Sequence, residues 1–299
     1  MKLYYFKDPR RNFGDDLNPW IWQRLLPDFF DDDAETLFIG IGTLLNHRIP
    51  PAKKRIVFGS GVGYGDSIEQ DGSWDFVCVR GPRSAQALGI SADHAVIDPA
   101  VFIHELYPHR KKKDISVAFM PHCGSADIGD WSTVCALAGI HYINPRNDTE
   151  TVMDEVSRTE LLLTEAMHGA IAAEAFRIPW VPLRCYEHIS EFKWLDWCES
   201  LDLPYEPHSV PGTYRGERDQ TLRMRLKTHV KRGLKTAKIW SPTWADPVRR
   251  RSSQQDMEVA AQALVMIASE AEPVLSYDAL LDQCLDRLHE CLAYVRKGQ

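Results

Sequence analysis

The chain has 299 residues, 44% of them hydrophobic and 26% charged, with a formal net charge of −7. Such a composition predicts a folded globular protein of one long domain or two, and it argues against general nucleic-acid binding. No apolar run reaches the roughly 20 residues of a membrane span, the N-terminus has no signal-peptide character, and seven scattered cysteines lack any Cys-x-x-Cys pair. Reduced thiols in a cytoplasmic protein are therefore expected, with neither disulfides nor a metal site.

In chain order, Leu3 to Phe6 reads as a strand, Lys7 to Gly14 as a loop, and the segment from Asp15 as a helix with Leu17, Ile21 and Leu25 on one face. Pro19 is acceptable there only in a first turn. Asn12-Phe13-Gly14-Asp15-Asp16 forms the strand-to-helix turn, where each aspartate by itself reads first as a helix cap and second as a functional group. Thr36 to Thr43 and Arg55 to Gly65 are buried-type strands that run into glycines, Gly61 and Gly63 among them, without a full dinucleotide or P-loop pattern. A further strand, Trp74 to Arg80, ends in Arg80-Gly81-Pro82-Arg83-Ser84, and Pro82 opens a helix. Ala95 to Ala100 is expected as a strand ending in Asp98-Pro99, and the polar run His104 to Asp114 as a linker.

The alternation then repeats: strand Ile115 to His122, helix near Trp131 to Ala138, strand His141 to Pro145, helix Thr149 to Ser157. Glu160 to Pro182 follows as strand, turn, helix and strand, with Glu165 and His168 on the turn. That turn falls at the carboxyl end of the sheet beside a helix N-terminus, where open α/β sheets bind anions, although a lone histidine there can also be a plain cap. Strands alternating with helices predict parallel sheets covered on both faces, in two α/β domains, 1–107 and 114–202, facing each other. Beyond these, 216–299 is expected as a helical extension. It would comprise a basic amphipathic helix, Leu222 to Lys238, that suits a membrane surface or a solvated face, and two tail helices packed as a hairpin with a face open to self-association.

Asn12-Phe13-Gly14-Asp15-Asp16-Leu17-Asn18, the glycines of Phe58 to Gly65, Arg80-Gly81-Pro82-Arg83-Ser84-Ala85, Asp98-Pro99-Ala100, and Glu165-Ala166-Met167-His168-Gly169-Ala170 with Ile178-Pro179-Trp180 resemble, in order, the polysaccharide pyruvyl transferase family, in its bacterial exopolysaccharide (succinoglycan-type) branch. The likeness runs from Tyr5 to Trp197. It implies a GT-B-like fold of two Rossmann-like domains, phosphoenolpyruvate as co-substrate without a further cofactor, and a pyruvate ketal on two hydroxyls of a sugar. Many relatives carry Arg-Leu-His where this chain has Ala166-Met167-His168, so the donor's charge must be met elsewhere.

That reaction needs a cationic clamp, an acid and a base. Arg80, Arg83 and Arg146 are the candidate clamp, with His122, Gly61 and Gly63 beside them on the donor, and His168 set to bind or protonate the leaving phosphate. Glu165 is the candidate acid and Asp15 the base, roles that can be exchanged; Asn12, Asp16 and Lys193 are assigned to the acceptor. The expected partners are phosphoenolpyruvate, an oligosaccharide acceptor carried on a lipid, the cytoplasmic face of the inner membrane as a peripheral contact, and a second copy of the chain. Two other readings stand beside this one: a nucleotide-sugar glycosyltransferase using Glu174 or Glu165 on a ribose, and a carbohydrate-binding relative without catalysis.

Overall fold

A computed structural model describes residues 1–109, 112–216, 230, 231, 234 and 250–298. The expected basic helix, Leu222 to Lys238, lies outside the described residues but for three positions.

The first half holds β1 (Lys2–Tyr4), α1 (Phe13–Leu25), β2 (Thr36–Ile39), β3 (Lys54–Phe58), β4 (Trp74–Cys78), α2 (Pro82–Leu88) and α3 (Ile103–Leu106). Its strands lie in the order β1-β2-β3-β4, parallel throughout. Leu37-Phe38-Ile39 and Ile56-Val57-Phe58 are buried without alternation, as strands covered on both faces must be.

Helix α1 starts at Phe13, two residues earlier than its apolar face suggested, so Pro19 lies beyond the first turn. The Asp15 carbonyl that Pro19 cannot serve is taken instead by the Asn18 side-chain amide at 3.1 Å. Asn18 also donates to the Ile41 carbonyl and accepts from the Ile41 N–H, which ties the loop after β2 to α1.

The expected strand from Ala95 to Ala100 does not form. Only Ala95 bridges Val79; Pro99, without an N–H for a ladder, starts a 3-10 turn, Pro99–Phe102, whose Ala100 N–H is taken by Asp98 Oδ1 at 3.0 Å.

The second half contributes β5 (Ile115–Met120), α4 (Cys123–Ile128), α5 (Trp131–Ala138), β6 (His141–Tyr142), α6 (Thr149–Ser157), β7 (Thr159–Thr164), α7 (Met167–Ala175), β8 (Trp180–Arg184), α8 (Glu191–Glu199) and β9 (His208–Ser209). The parallel order is β6-β5-β7-β8-β9. The winding reverses between β5 and β7, and a crevice at the carboxyl ends of such a pair is where doubly wound sheets bind ligands.

Helix α7 is apolar on every side because it is not a surface helix. It packs on α6 in its own half and on α1, α3 and the 99–102 turn of the other, so one continuous core spans both sheets.

The two tail helices do not pair as a hairpin. α9 (Gln254–Glu270), begun by a capping box between Ser253 and Asp256, packs on α5 and β7, where Met257, Ala260 and Leu264 join Trp131 and Leu163. After Val274 pairs with Trp180, α10 (Asp278–Lys297) reaches the first half and lies on β4 and the 99–102 turn. Leu281, Cys284, Leu288 and Leu292 are buried within the chain, so the face that might have served self-association is already covered.

Candidate active site

A cavity of about 530 Å³ opens at the β5–β7 crevice and is closed by the first half. Tyr4 to Asp8, Asn12 to Asp15, and Gly42 to Leu44 line one side; Met120, His122, Cys123 and Glu165 to His168 line the other, with Lys193 and Trp194 of α8 between.

His168 is the second residue of α7, behind Ala166, whose side chain cannot cap the helix. Its ring fits because residue 14 is glycine: a Cβ there would stand 2.1 Å from His168 Nδ1. On its far side, Nε2 lies 3.7 Å from Asp98 Oδ2. Burial, then Lys193, Arg80 and His122, push the pKa of His168 down to about 3, so the imidazole is neutral.

Asp15 accepts from Asn12 Nδ2 at 2.5 Å. Burial pushes its pKa up to about 6 against the pull of Asn12 and Lys193, which makes it a carboxylate of raised basicity at neutral pH. Lys193 Nζ donates to the Tyr64 hydroxyl at 3.1 Å and stands 4.8 Å from that ring's centroid. Asp15, Asp98, His122 and His168 all feel its charge, and Lys7 and Arg48 add positive charge to the lining.

Glu165 is fully buried and holds the wall of the cavity together. Its Oε1 accepts from the N–H groups of Cys185 at 2.7 Å and Tyr186 at 3.1 Å, and its Oε2 from that of His122 at 3.3 Å. Burial pushes its pKa up while these donors and Ser125 pull it down. Both oxygens already serve as acceptors, which suits a brace between the ends of β5 and β8 better than a proton donor. His122 caps α4, its Nδ1 accepting from Gly124 N–H at 3.2 Å; burial pushes its pKa down to about 3, and the neutral ring keeps its proton on Nε2.

The arginines expected to clamp the donor are outside the lining. Arg80 is fully buried: Nε donates to Asp196 Oδ2 at 2.8 Å, Nη1 to Thr43 Oγ1 at 2.9 Å and Nη2 to the Val62 carbonyl at 3.0 Å. Asp196 also takes the Ser84 N–H and hydroxyl, so the chain's own carboxylate fills the start of α2. Gly61 leaves room for this guanidinium, since a Cβ there would stand 2.3 Å from Arg80 Cζ. Arg83 pairs with Glu199 at 2.6 Å. Arg146 binds Asp8 and Asp127, each at 2.7 Å, and latches the 8–12 loop to the second half.

Of the residues singled out from the sequence, Asn12, Asp15, His122, Glu165, His168 and Lys193 are therefore brought together, whereas Asp16, Gly61, Gly63, Arg80, Arg83 and Arg146 are not in the lining. Gly63 packs against the stems of Lys193 and Thr43, and Asp16 is half-buried beside Asn12. Glu174, offered for a ribose, is buried on Trp180 Nε1, Ser276 and Arg177 and has no access to a ligand. Lys7, Arg48, Tyr64 and Asp98 were not foreseen as site residues. The first three sit in loops without periodicity, and Asp98 stood at the end of a supposed strand and in the Asp98-Pro99-Ala100 motif of the family resemblance, without a role in the site.

Among the described residues no group of three or more His, Cys, Asp or Glu side chains could hold a metal ion, and no helix is long and apolar enough to cross a membrane.

The sequence model of the polysaccharide pyruvyl transferase family matches residues 5–186, from just after β1 to just past β8. The chain is also 33% identical to the succinoglycan biosynthesis protein ExoV of Rhizobium meliloti (strain 1021), over 99% of this chain and 99% of that protein.

Proposed function

This chain belongs to the polysaccharide pyruvyl transferase family and is a transferase, and from that premise we propose that it moves the pyruvyl group of phosphoenolpyruvate onto two hydroxyls of a lipid-linked exopolysaccharide repeat unit. The observation that carries this reading is the cavity at the β5–β7 crevice, where Asp15, His168 and Lys193 come together from three parts of the chain.

Addition joins a sugar hydroxyl oxygen to the central carbon of the donor and a proton from solvent to its methylene carbon; phosphate then leaves, and a neighbouring hydroxyl closes the ketal, its proton going to the departing phosphate. Asp15, a carboxylate of raised basicity, takes the hydroxyl proton. Lys193, with Lys7 and Arg48, meets the negative charge of the donor in place of the arginines, and His168 faces its phosphate. In this reading the two sheets are the two Rossmann-like halves of a GT-B-like architecture, with 1–107 and 114–202 as domains. The basic run Arg223 to Lys238 would rest on the anionic cytoplasmic face of the inner membrane, where such acceptors lie.

Thermal stabilisation by phosphoenolpyruvate, beside uridine diphosphate and inorganic phosphate, tests the donor. The expected result is a shift specific to phosphoenolpyruvate and lost in Lys193→Ala; a shift with the nucleotide alone would make the protein a glycosyltransferase. Failure of the full chain to sediment with vesicles of acidic lipid would remove the membrane contact.

A further inference from the structure

His168 and Asp98 come from different halves and meet across the cleft. His168 stands at the start of α7, while Asp98 precedes the 99–102 turn on which α7 packs. Asp98 is fully buried, and with Oδ1 on the Ala100 N–H its Oδ2 has no hydrogen-bond partner among the described residues. His168 Nε2 is likewise buried and unpartnered, and the two atoms face each other at 3.7 Å. An orphaned buried polar atom is costly, and a shift of about 0.8 Å brings this pair to hydrogen-bond distance.

Resting on the reading that His168 faces the donor phosphate, we propose that Asp98 is its positioning residue: Oδ2 takes the Nε2–H of the imidazole, leaving Nδ1 on the Gly14 side of the cavity as the atom that gains a proton when the phosphate arrives. That proton comes from solvent or from the monoprotonated phosphate group, and it leaves with the departing phosphate; no electrons are transferred.

The charges around the ring agree with this division of labour. Burial, Lys193 on α8, Arg80 at the end of β4 and His122 before α4 all disfavour a charged imidazole, whereas Asp98 favours one. Asp98 itself is pushed up by burial to about 6, with the Ala100 N–H, Arg80 and Lys193 holding its proton off and Asp196 opposing them. Near neutral pH it is thus a carboxylate beside a neutral imidazole. The free ring donates through Nε2, and an arriving phosphate, facing Nδ1, completes the pair of anions that an imidazolium needs.

Asp98→Asn separates this role from mere packing. The Ala100 N–H already occupies one side of the group, so an asparagine must turn its carbonyl oxygen there and present its NH2 to His168 Nε2. That forces Nε2 to accept, moves the ring proton to Nδ1 and opposes charging of the ring.

The experiment is 15N NMR of the full chain labelled at histidine, with the His168 signals identified by their loss in His168→Gln. Wild type should show Nε2–H with a bare Nδ1, and both nitrogens protonated on saturation with phosphoenolpyruvate. Asp98→Asn should show Nδ1–H with a bare Nε2 and remain neutral with the donor bound. A free wild-type ring protonated on Nδ1 would overturn the proposal without recourse to any variant, as would an unchanged tautomer in Asp98→Asn. Equal stabilisation of His168→Gln and wild type by phosphoenolpyruvate would instead remove His168 from the donor, whatever its tautomer.

Discussion

Arg80 and Asp196 meet at 2.8 Å with neither side chain exposed, joining the end of β4 to α8. The Arg80-Gly81-Pro82-Arg83-Ser84 run thus builds an anion site, and its anion is a carboxylate of the same chain. Gly81 completes the fit, since a Cβ there would stand 1.8 Å from the Asp196 carbonyl oxygen.

Breaking that pair from one side leaves an uncompensated buried charge, which costs about 3–5 kcal/mol. Arg80→Ala and Asp196→Ala should each lower the free energy of unfolding by that amount, read as a fall in the denaturant midpoint at unchanged m in equilibrium unfolding. If Arg80→Ala is as stable as wild type yet blind to phosphoenolpyruvate, the arginine binds the donor after all.

Lys193→Ala has the opposite signature. The side chain is half-buried, and its hydrogen bond goes to the exposed Tyr64, so stability should change by less than about 1 kcal/mol. Affinity for phosphoenolpyruvate should fall about 10- to 100-fold, as for loss of one charged hydrogen bond. Titration calorimetry gives both the affinity and the control with inorganic phosphate.

Asp15 should show a cost to stability that Asp15→Asn removes. Its folded pKa of about 6 lies above the unfolded value of 3.8, so between pH 4 and 6 the folded state holds the proton more tightly than the unfolded one. The contribution of this group to stability is therefore complete below pH 4, falls as pH rises to 6 and is flat beyond, a loss on the order of 1–3 kcal/mol. Asp15→Asn should be more stable than wild type at pH 7.5 by that amount, equal to it near pH 4, and inactive in transfer. Parallel unfolding curves at the two pH values decide it.

Gly14→Ala should displace the His168 ring, because the new methyl would occupy the place of Nδ1. The overpacking costs about 1–3 kcal/mol, and stabilisation by phosphoenolpyruvate should vanish while the fold persists by circular dichroism. Gly72→Ala, whose added methyl meets nothing within 4 Å, should change neither quantity.

Much of the scaffold was legible from local pattern. The strands around Phe38, Val57, Ala118 and Leu162, their parallel alternation with helices, and the turn carrying Glu165 and His168 follow from runs of a few residues, because burial on two faces or on one is written in the period of apolar side chains. Element ends were less legible where a single side chain decided them, as Asn18 does for the helix through Pro19 and Pro99 for the missing strand.

Which charges face the cavity was decided only by the tertiary structure. Arg80 read as part of the donor clamp until α8 delivered Asp196 from 116 residues away, and Arg146 likewise until the 8–12 loop brought Asp8. Lys193, on the same helix as Asp196, was left to face the cavity beside Lys7 and Arg48. The tail helices likewise show equal apolar stripes in the sequence, yet one lies on the second sheet and the other on the first. A periodic pattern states that a face must be buried, and a charge that it needs a partner; neither names the partner, because that choice is made by contacts between segments far apart in the chain and depends on how the two sheets close on α7.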